Sequence, residues 1–149
     1  FSSWEEAFDA LKNHEKNHRF ILAIDEYPYI IEQDSSFSSI IQEFIDRVNK
    51  LLGKRVKKII LYGSYARGDY NENSDIDIMI LTDLTNEEII EYRELVSNIA
   101  FDIEFDTNFE VMISPLVKNI EKFEYWLKAL PFYMNVQREG VVLSGAENI

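Results

Sequence analysis

The sequence predicts an α/β fold: a small mixed β-sheet with helices packed on one face, plus an N-terminal α-β-α extension. Two short apolar runs typical of strands, at 56–62 and 76–81, are flanked by stretches in which apolar residues recur every three or four positions. This mixture of strands and helices is typical of α/β domains. The 149 residues are 46% hydrophobic, which is enough to bury the core of one compact domain and a small extension.

The first elements begin and end at clear sequence signals. Residues 36–52 carry apolar side chains at helical spacing, and Gly53 is expected to end this helix. Strands are predicted over 56–62 and 76–81, because both are short apolar runs and the second alternates. Thr85 is expected to cap the helix that follows, which continues with a long apolar stripe.

A third strand is predicted over residues 108–114. Their alternation would turn Phe109, Val111 and Ile113 inward and place Glu110 on the opposite face. After this strand the sequence predicts two more helices, at 120–130 and, beyond Pro131, at 132–139.

The segment from Gly63 to Asp77 is the most informative part of the chain. Gly63 and Ser64 lie where an apolar strand turns into a helix, a position at which backbone N–H groups suit a triphosphate. Asp75 follows Ser64 after a ten-residue spacer, 65–74. Because strand side chains alternate, Asp75 and Asp77 share one face and lie about 7 Å apart along the strand.

Two neighbouring carboxylates on one strand face repel each other unless a cation lies between them. Mg²⁺ is the usual cation, because it prefers hard oxygen ligands and completes its octahedron with substrate phosphates. The alternative is a strand end with two solvated aspartates, since short acidic pairs are common. The Gly63 and Ser64 turn at this spacing favours the metal site over that alternative.

The residues around the turn have expected roles. Gly63 would allow close approach of the backbone, which a side chain would block. Ser64 would hydrogen-bond phosphate oxygens. Arg67, one helical turn beyond Ser64, would either bind a phosphate or form a surface ion pair with Asp69 or Glu72.

The pattern Gly-Ser-x10-Asp-x-Asp resembles the DNA polymerase β-like nucleotidyltransferases, and within them the small group of minimal nucleotidyltransferases. The resemblance covers roughly residues 44–143. It implies that the Gly63 and Ser64 turn holds the triphosphate of ATP and that Asp75 and Asp77 bind Mg²⁺. In the two-ion scheme, one Mg²⁺ orients the attacking hydroxyl and the other neutralises the triphosphate.

The same resemblance implies a third acidic residue on a neighbouring strand. Glu110 is the candidate for this third catalytic and metal-binding carboxylate, because Val-Met-Ile-Ser-Pro after it matches the family's strand. Most members of the family have Asp at this position. Asp102, Glu104 and Asp106 also alternate just upstream, and any of them is an alternative third ligand.

Composition limits the partners. The net charge of −12, from 27 acidic and 15 basic residues, argues against general nucleic-acid binding and favours a basic protein partner. The basic stretch 54–58 is interpreted as solvated charge ahead of a strand. The absence of cysteine excludes disulfides and thiol catalysis. With neither a membrane-length apolar run nor a signal-peptide pattern, a cytoplasmic protein is expected.

Residues 1–43 are predicted to form an N-terminal extension, and residues 44–149 the transferase domain. An apolar run that ends in Asp25 and Glu26 makes the first 47 or so residues resemble the Walker B region of prokaryotic AAA-type ATPases. The Gly-x-x-x-x-Gly-Lys-Ser/Thr loop that such ATPases need is absent from the chain. This pair of carboxylates is therefore expected to have no phosphate-bound ion to engage.

The resemblance implies an enzyme that transfers a nucleoside monophosphate, AMP from ATP, to a protein hydroxyl. Minimal nucleotidyltransferases commonly act as antitoxins that modify a tyrosine of a partner HEPN-type ribonuclease toxin. Two alternatives stay open: a small-molecule nucleotidyltransferase of the antibiotic-modifying type, and a binding module or inactive fusion without catalysis. The short transferase segment leaves little room for the additional domain of small-molecule enzymes, which favours a protein acceptor.

Overall fold

The computed structural model of the chain describes residues 35–144, and these form the predicted α/β fold. The described elements are, in chain order, α1 (Ser35–Leu52), a 3₁₀ turn (Gly53–Arg55), β1 (Val56–Tyr62), α2 (Ser64–Arg67), β2 (Ile76–Thr82), α3 (Asn86–Asp106), β3 (Ile113–Asn119), α4 (Ile120–Trp126), α5 (Pro131–Glu139) and β4 (Val141–Ser144).

The strands of residues 35–144 form one mixed sheet with the order β3-β2-β1-β4. β1 is antiparallel to both β2 and β4, whereas β2 and β3 are parallel. A parallel pair needs a crossover connection, and α3 provides it. The register pairs Asp77 on β2 with Tyr62 on β1 and with Ser114 on β3. These three positions are therefore neighbours on adjacent strands, at the end of the sheet where β2 begins.

Both faces of β2 are buried. Ile76, Ile78 and Ile80 face the core, in a large cluster with α1 and α3, and each is 0% exposed. Met79 and Leu81 point the other way, into a smaller cluster with Phe123 of α4 and Val136 of α5. The two long helices thus cover one face, and two short helices close the other face, where the sequence predicted no helices. Burial on both faces explains why β2 is apolar almost throughout.

Helix α1 packs into the larger cluster from its first turn onward. Phe37, Ile41, Phe44 and Val48 are buried at three- and four-residue spacing. The helix is followed by Gly53, as predicted, where φ is 57° and glycine is favoured. The predicted boundary between residues 43 and 44 lies inside α1, and residues 1–34 lie outside the described residues. The division into two parts stays a prediction.

The N-terminus of α3 confirms the predicted cap. The Oγ1 of Thr85 accepts a hydrogen bond from the Glu88 N–H at 3.2 Å, and Glu88 Oε1 accepts one from the Thr85 N–H at 2.9 Å. Arg55 forms ion pairs with both Asp83 and Glu88. Hydrogen bonds from Arg55 and then from the Thr85 backbone lower the pKa of Glu88 to about 2.

The predicted third strand is wrong in its position. The β3 strand runs over Ile113–Asn119, and α3 continues to Asp106 before a turn, so Glu110 is not on a strand. Phe109, predicted to face inward, is 46% exposed. The reason is that α3 extends further than the apparent alternation suggested. Val96, Ala100 and Ile103 form its buried stripe, which keeps the chain helical for about two more turns.

The last elements add two differences. α4 ends at Trp126 instead of 130, and β4, which is not among the predicted elements, pairs with β1. Pro115 lies within β3, which is tolerated because β3 is an edge strand. None of the helices within 35–144 has the length and apolar character needed to cross a membrane.

Candidate active site

Gly63 turns the chain from β1 into the short helix α2. Its φ of 77° and ψ of −156° are values that residues with a side chain rarely adopt. A Cβ added to Gly63 would overlap the Oδ2 of Asp77 and lie 3.2 Å from its Cγ. Glycine therefore lets the backbone of this turn lie directly against the Asp77 carboxylate, which joins the two halves of the sequence motif.

The two aspartates lie at the start of β2 in different environments. Asp75 directly precedes the strand and is exposed, whereas Asp77 is half-buried beside Tyr62. Burial, followed by the negative charge of Asp75, raises the pKa of Asp77, and Arg67 only partly opposes this effect. Burial and the charge of Asp77 also raise the pKa of Tyr62 to about 12. The site therefore carries concentrated negative charge.

A cavity of about 450 Å³ opens beside Asp77. It brings together Gly63, Ser64, Arg67 and Asp77 of the predicted site. Asp75 is not among its lining residues. The rest of the lining comes from β1 and α5, namely Tyr62, Phe132, Asn135, Val136 and Glu139. Two larger cavities, of about 570 and 740 Å³, lie elsewhere on the described residues, and neither is lined by Asp75 or Asp77.

Arg67 forms the surface ion pair that was one of its two expected roles, and phosphate binding by Arg67 stays a prediction. Its Nε lies 3.2 Å from Asp69 Oδ2, which is one of the two ion pairs considered from the sequence. Its Nη1 lies 3.3 Å from Glu139 Oε1 on α5, a partner 72 residues away in the chain. Because Arg67 also lines the cavity at Asp77, its guanidinium is held at the edge of the site by two carboxylates.

Glu110 lies apart from this cavity. It occupies the turn between α3 and β3 and lines the separate cavity of about 740 Å³ with Tyr65 and Tyr70. The described part of the chain contains no group of three or more His, Cys, Asp or Glu side chains that could hold a metal ion. Asp75 and Asp77 are therefore a pair in this structure, and the role of Glu110 as the third ligand stays a prediction.

The three alternative carboxylates lie on α3. Glu104 is only 6% exposed, and its Oε2 accepts a hydrogen bond of 2.7 Å from the Ile113 N–H at the start of β3. Asp102 lies 3.8 Å from Arg47 of α1. Asp106 is exposed at the end of the helix. None of the three lines the cavity at Asp77. Glu104 is occupied with a structural hydrogen bond.

Sequence reasoning missed several neighbours of Asp77. Tyr62 and Ser114 lie beside Asp77 only because of strand pairing, and Glu139 reaches Arg67 from the far end of the chain. Ser114 is the residue of β3 that pairs with Asp77, whereas Glu110, the carboxylate expected on this neighbouring strand, precedes the strand. The Ser-Pro sequence could have indicated an edge strand here, because proline within a sheet is found mainly on edge strands.

The pair fits a hard cation such as Mg²⁺. Asp77 is half-buried, and burial and the charge of Asp75 raise its pKa. A bound cation would relieve the repulsion between the two carboxylates. Mg²⁺ is commonly bound by one or two protein carboxylates while substrate phosphates supply further oxygens. Two aspartates beside a cavity that could hold phosphates meet that requirement.

A model of the nucleotidyltransferase domain family matches residues 41–140. The chain belongs to this family. A relative from Methanocaldococcus jannaschii, named "Putative protein adenylyltransferase MJ0604", is 38% identical over 103 residues, which are 69% of this chain and 93% of the relative. A second relative from the same organism, "Putative protein adenylyltransferase MJ0141", is 35% identical over 78 residues, which are 52% of this chain and 75% of the relative.

The nucleotidyltransferase chain also resembles two solved toxin–antitoxin structures in fold alone. A mutant of the toxin–antitoxin MntA-HpeT has a TM-score of 0.42 and 19% identity, with 70% of this chain and 73% of that chain covered. A toxin–antitoxin with AMP-PNP has a TM-score of 0.43 and 21% identity, with the same coverage. The family match begins at residue 41 and gives no support to the Walker B resemblance, whose Asp25 and Glu26 lie outside the described residues.

Proposed function

We propose that this nucleotidyltransferase transfers AMP from ATP to a hydroxyl group of a protein, with Mg²⁺ bound at Asp75 and Asp77. The observation that carries the proposal is the cavity that places Gly63, Ser64, Arg67 and Asp77 around one space. Its volume of about 450 Å³ lies within the range of small-molecule sites, roughly 300–1,000 Å³.

Each side of the cavity has a role in this reaction. The Gly63 and Ser64 turn would hold the triphosphate, with the Ser64 hydroxyl donating to a phosphate oxygen. Arg67 would add a charged donor once a phosphate competes with Asp69 and Glu139 for its guanidinium. The acceptor oxygen would bond to the α-phosphorus as the bond to the bridging oxygen breaks, which releases pyrophosphate and sends the hydroxyl proton to water.

Asp75 and Asp77 would hold the metal ions at the end of the cavity. When bound, Mg²⁺ neutralises the triphosphate charge and lowers the pKa of the attacking hydroxyl. The turn at Gly63 lies directly against the Asp77 carboxylate, so the backbone of this turn and Asp77 would approach the same phosphates. Glu110 remains the proposed third carboxylate, and it would have to reach the site from the turn before β3.

A protein is the proposed acceptor. The relative that matches over 93% of its own length carries the name of a protein adenylyltransferase. The net charge of −12 disfavours a nucleic-acid acceptor. The Gly-Ser-x10-Asp-x-Asp resemblance further suggests a tyrosine of a HEPN-type toxin, in a cytoplasmic toxin–antitoxin pair. These finer assignments belong to the proposal alone.

Calorimetry of ATP binding separates catalysis from docking. The wild-type chain should bind ATP only with Mg²⁺ present, and Asp75→Asn and Asp77→Asn should each weaken that binding and abolish AMP transfer while the fold is kept. A chain that binds no ATP under any condition would instead be a binding module or an inactive fusion, and the proposal would fail.

The third carboxylate has its own test. Glu110→Gln should slow AMP transfer and spare ATP binding, because its ion would orient the acceptor hydroxyl and not the triphosphate. Asp46→Asn is the matched control, since Asp46 is an exposed carboxylate of α1 that lines neither the cavity at Asp77 nor the cavity at Glu110. An unchanged rate for Glu110→Gln would remove Glu110 from the site.

A further inference from the structure

Three phenylalanine rings lie together on the surface at the end of α3. Phe101, Phe105 and Phe109 are 53%, 62% and 46% exposed. Their ring centroids are 5.8 to 6.4 Å apart, so each ring contacts the other two. We name these three residues the phenylalanine patch. Contiguous exposed apolar surface of this kind is typical of interaction sites.

The backbone that presents Phe109 is strained. Asn108 and Phe109 have φ values of 56° and 60°. Asn108 fits the left-handed end of a helix, where its N–H donates to the Phe105 carbonyl and the Phe109 N–H donates to the Glu104 carbonyl. A bulky residue such as Phe109 rarely adopts positive φ. Its ring is 46% exposed, so burial of the ring offsets little of this strain.

Carboxylates flank the patch in the chain, and we call them its acidic rim. Each phenylalanine is followed directly by a carboxylate: Asp102, Asp106 and Glu110. Within residues 35–144, Asp102 lies 3.8 Å from Arg47, and the other two form no ion pair. An aromatic surface with this rim favours a partner that carries both apolar and basic side chains, because Lys and Arg can contact carboxylates and ring faces together.

The same rim argues against other occupants. Nucleic acid and anionic membranes would be repelled by the carboxylates. A second copy of this chain, with a net charge of −12, would bring two acidic rims together. A basic, apolar protein segment is the occupant that the charge favours.

The patch lies next to the candidate active site. The turn that holds Phe109 leads into β3, and its Met112 carbonyl accepts a hydrogen bond of 2.8 Å from the Ile76 N–H, between Asp75 and Asp77. Glu110 and Val111 of the same turn line a cavity with Tyr65, which directly follows Ser64. A protein bound at the patch would therefore lie at the end of the sheet where the aspartates begin β2.

We propose that the phenylalanine patch docks the protein acceptor through a segment with apolar and basic side chains. This inference rests on the proposed function, because it assigns a docking surface to the acceptor of that reaction. It adds a part of recognition that does not involve ATP or the aspartates.

The test measures binding of an amphipathic helical peptide with leucines on one face and Lys and Arg on the other, by fluorescence anisotropy. The wild-type chain should bind it, and should bind a peptide with Glu in place of Lys and Arg at least about tenfold more weakly. The double variant Phe101→Ser, Phe105→Ser should lose about tenfold or more in affinity for the basic peptide. Ile90→Ser is the matched control, because Ile90 is 61% exposed on the same helix and should not matter.

A second variant guards against a folding artefact. Phe109→Gly removes a ring and relieves the positive φ, so the protein should melt at the same or a higher temperature while the basic peptide binds more weakly. A purely structural role for Phe109 would give a lower melting temperature and unchanged peptide binding.

Other outcomes would overturn the inference. The inference fails if the basic peptide does not bind, or if Ile90→Ser loses as much affinity for the peptide as the double Phe variant does. It also fails if sedimentation velocity shows a concentration-dependent dimer that the Phe variants abolish. Tighter binding to phosphatidylglycerol vesicles than to the peptide would overturn it as well. Asp77→Asn should bind the peptide like wild type. Peptide binding without AMP transfer would refute the proposed function alone, whereas AMP transfer with a dispensable patch would refute this inference alone.

Discussion

Asp77 is the residue at which the motif, the turn and the electrostatics of the site meet. The Gly63 backbone lies against its carboxylate, Asp75 lies two residues away, and Tyr62 covers it from β1. Burial and the Asp75 charge raise its pKa, so the ionised form that metal binding needs is disfavoured in the metal-free protein. The residue is thus kept at some expense of stability, which is typical of functional sites.

Asp77→Asn should stabilise the metal-free protein at neutral pH. A folded-state pKa above the unfolded one means that stability is lost as pH rises from the ordinary value of 3.8 through the raised pKa. The variant should therefore melt at a higher temperature than wild type at pH 7, and the gain should vanish as the pH falls below 3.8. Asp46→Asn, an exposed control on α1, should show no such pH-dependent gain. A pH-independent difference for Asp77→Asn would contradict the electrostatic explanation.

Arg67 and Glu139 should act in opposite directions on ATP. Arg67→Gln should raise the KM for ATP by about tenfold, because one charge-assisted hydrogen bond to a phosphate is lost. Glu139→Gln should lower it, because Glu139 competes with phosphate for the guanidinium. Initial rates at varied ATP concentration measure both. If both substitutions raise the KM, the ion pair positions Arg67 and does not compete with ATP.

At the scale of elements, the structure differs most from the sequence prediction at the connection from α3 to β3. The positions of α1, β1 and β2 and the cap at Thr85 follow from local signals such as apolar spacing, Gly53 and the Thr-x-x-Glu pattern. Residues 101–110 carry both a helical stripe and an apparent alternation, and burial of Ile103 decides for the helix. Phe109 misled the prediction, because its apolar side chain was expected to face the core and is instead 46% exposed.

Glu104 should contribute to stability through the start of β3. Glu104→Leu would leave the Ile113 N–H without its acceptor, which costs about 1–3 kcal/mol for a buried group. Glu104→Gln keeps an acceptor and should lose less than half of that amount. Urea unfolding measures both free energies, with Asp106→Asn as an exposed control that should change little. Equal losses for Leu and Gln would mean that charge, and not the hydrogen bond, is what Glu104 supplies.

At the scale of the whole molecule, the sequence reveals the half of the site that is contiguous in the chain. Gly63, Ser64, Asp75 and Asp77 lie within fifteen residues, and one turn brings them together. The half supplied by β3 and α5 depends on register and on helix packing over long separations. No local pattern encodes that Ser114 pairs with Asp77 or that Glu139 meets Arg67.

The N-terminal carboxylates should be dispensable for the chemistry. Asp25→Ala and Glu26→Ala should leave ATP-dependent transfer unchanged, because the cavity proposed to bind ATP is lined by residues between Tyr62 and Glu139. The comparison is the rate of AMP transfer by each variant and by wild type. Loss of ATP turnover in Glu26→Ala, with turnover kept in Asp75→Asn and Asp77→Asn, would move the active site to the first part of the chain.

The most direct test of the account is the intact mass of an acceptor protein after incubation with this chain, ATP and Mg²⁺. The acceptor to use is the product of the gene next to the one that encodes this chain. The acceptor should gain the mass of one AMP with the wild-type chain, and should gain none with Asp75→Asn, with Asp77→Asn or without Mg²⁺. An acceptor that gains AMP equally with the wild-type chain and with both aspartate variants would contradict it.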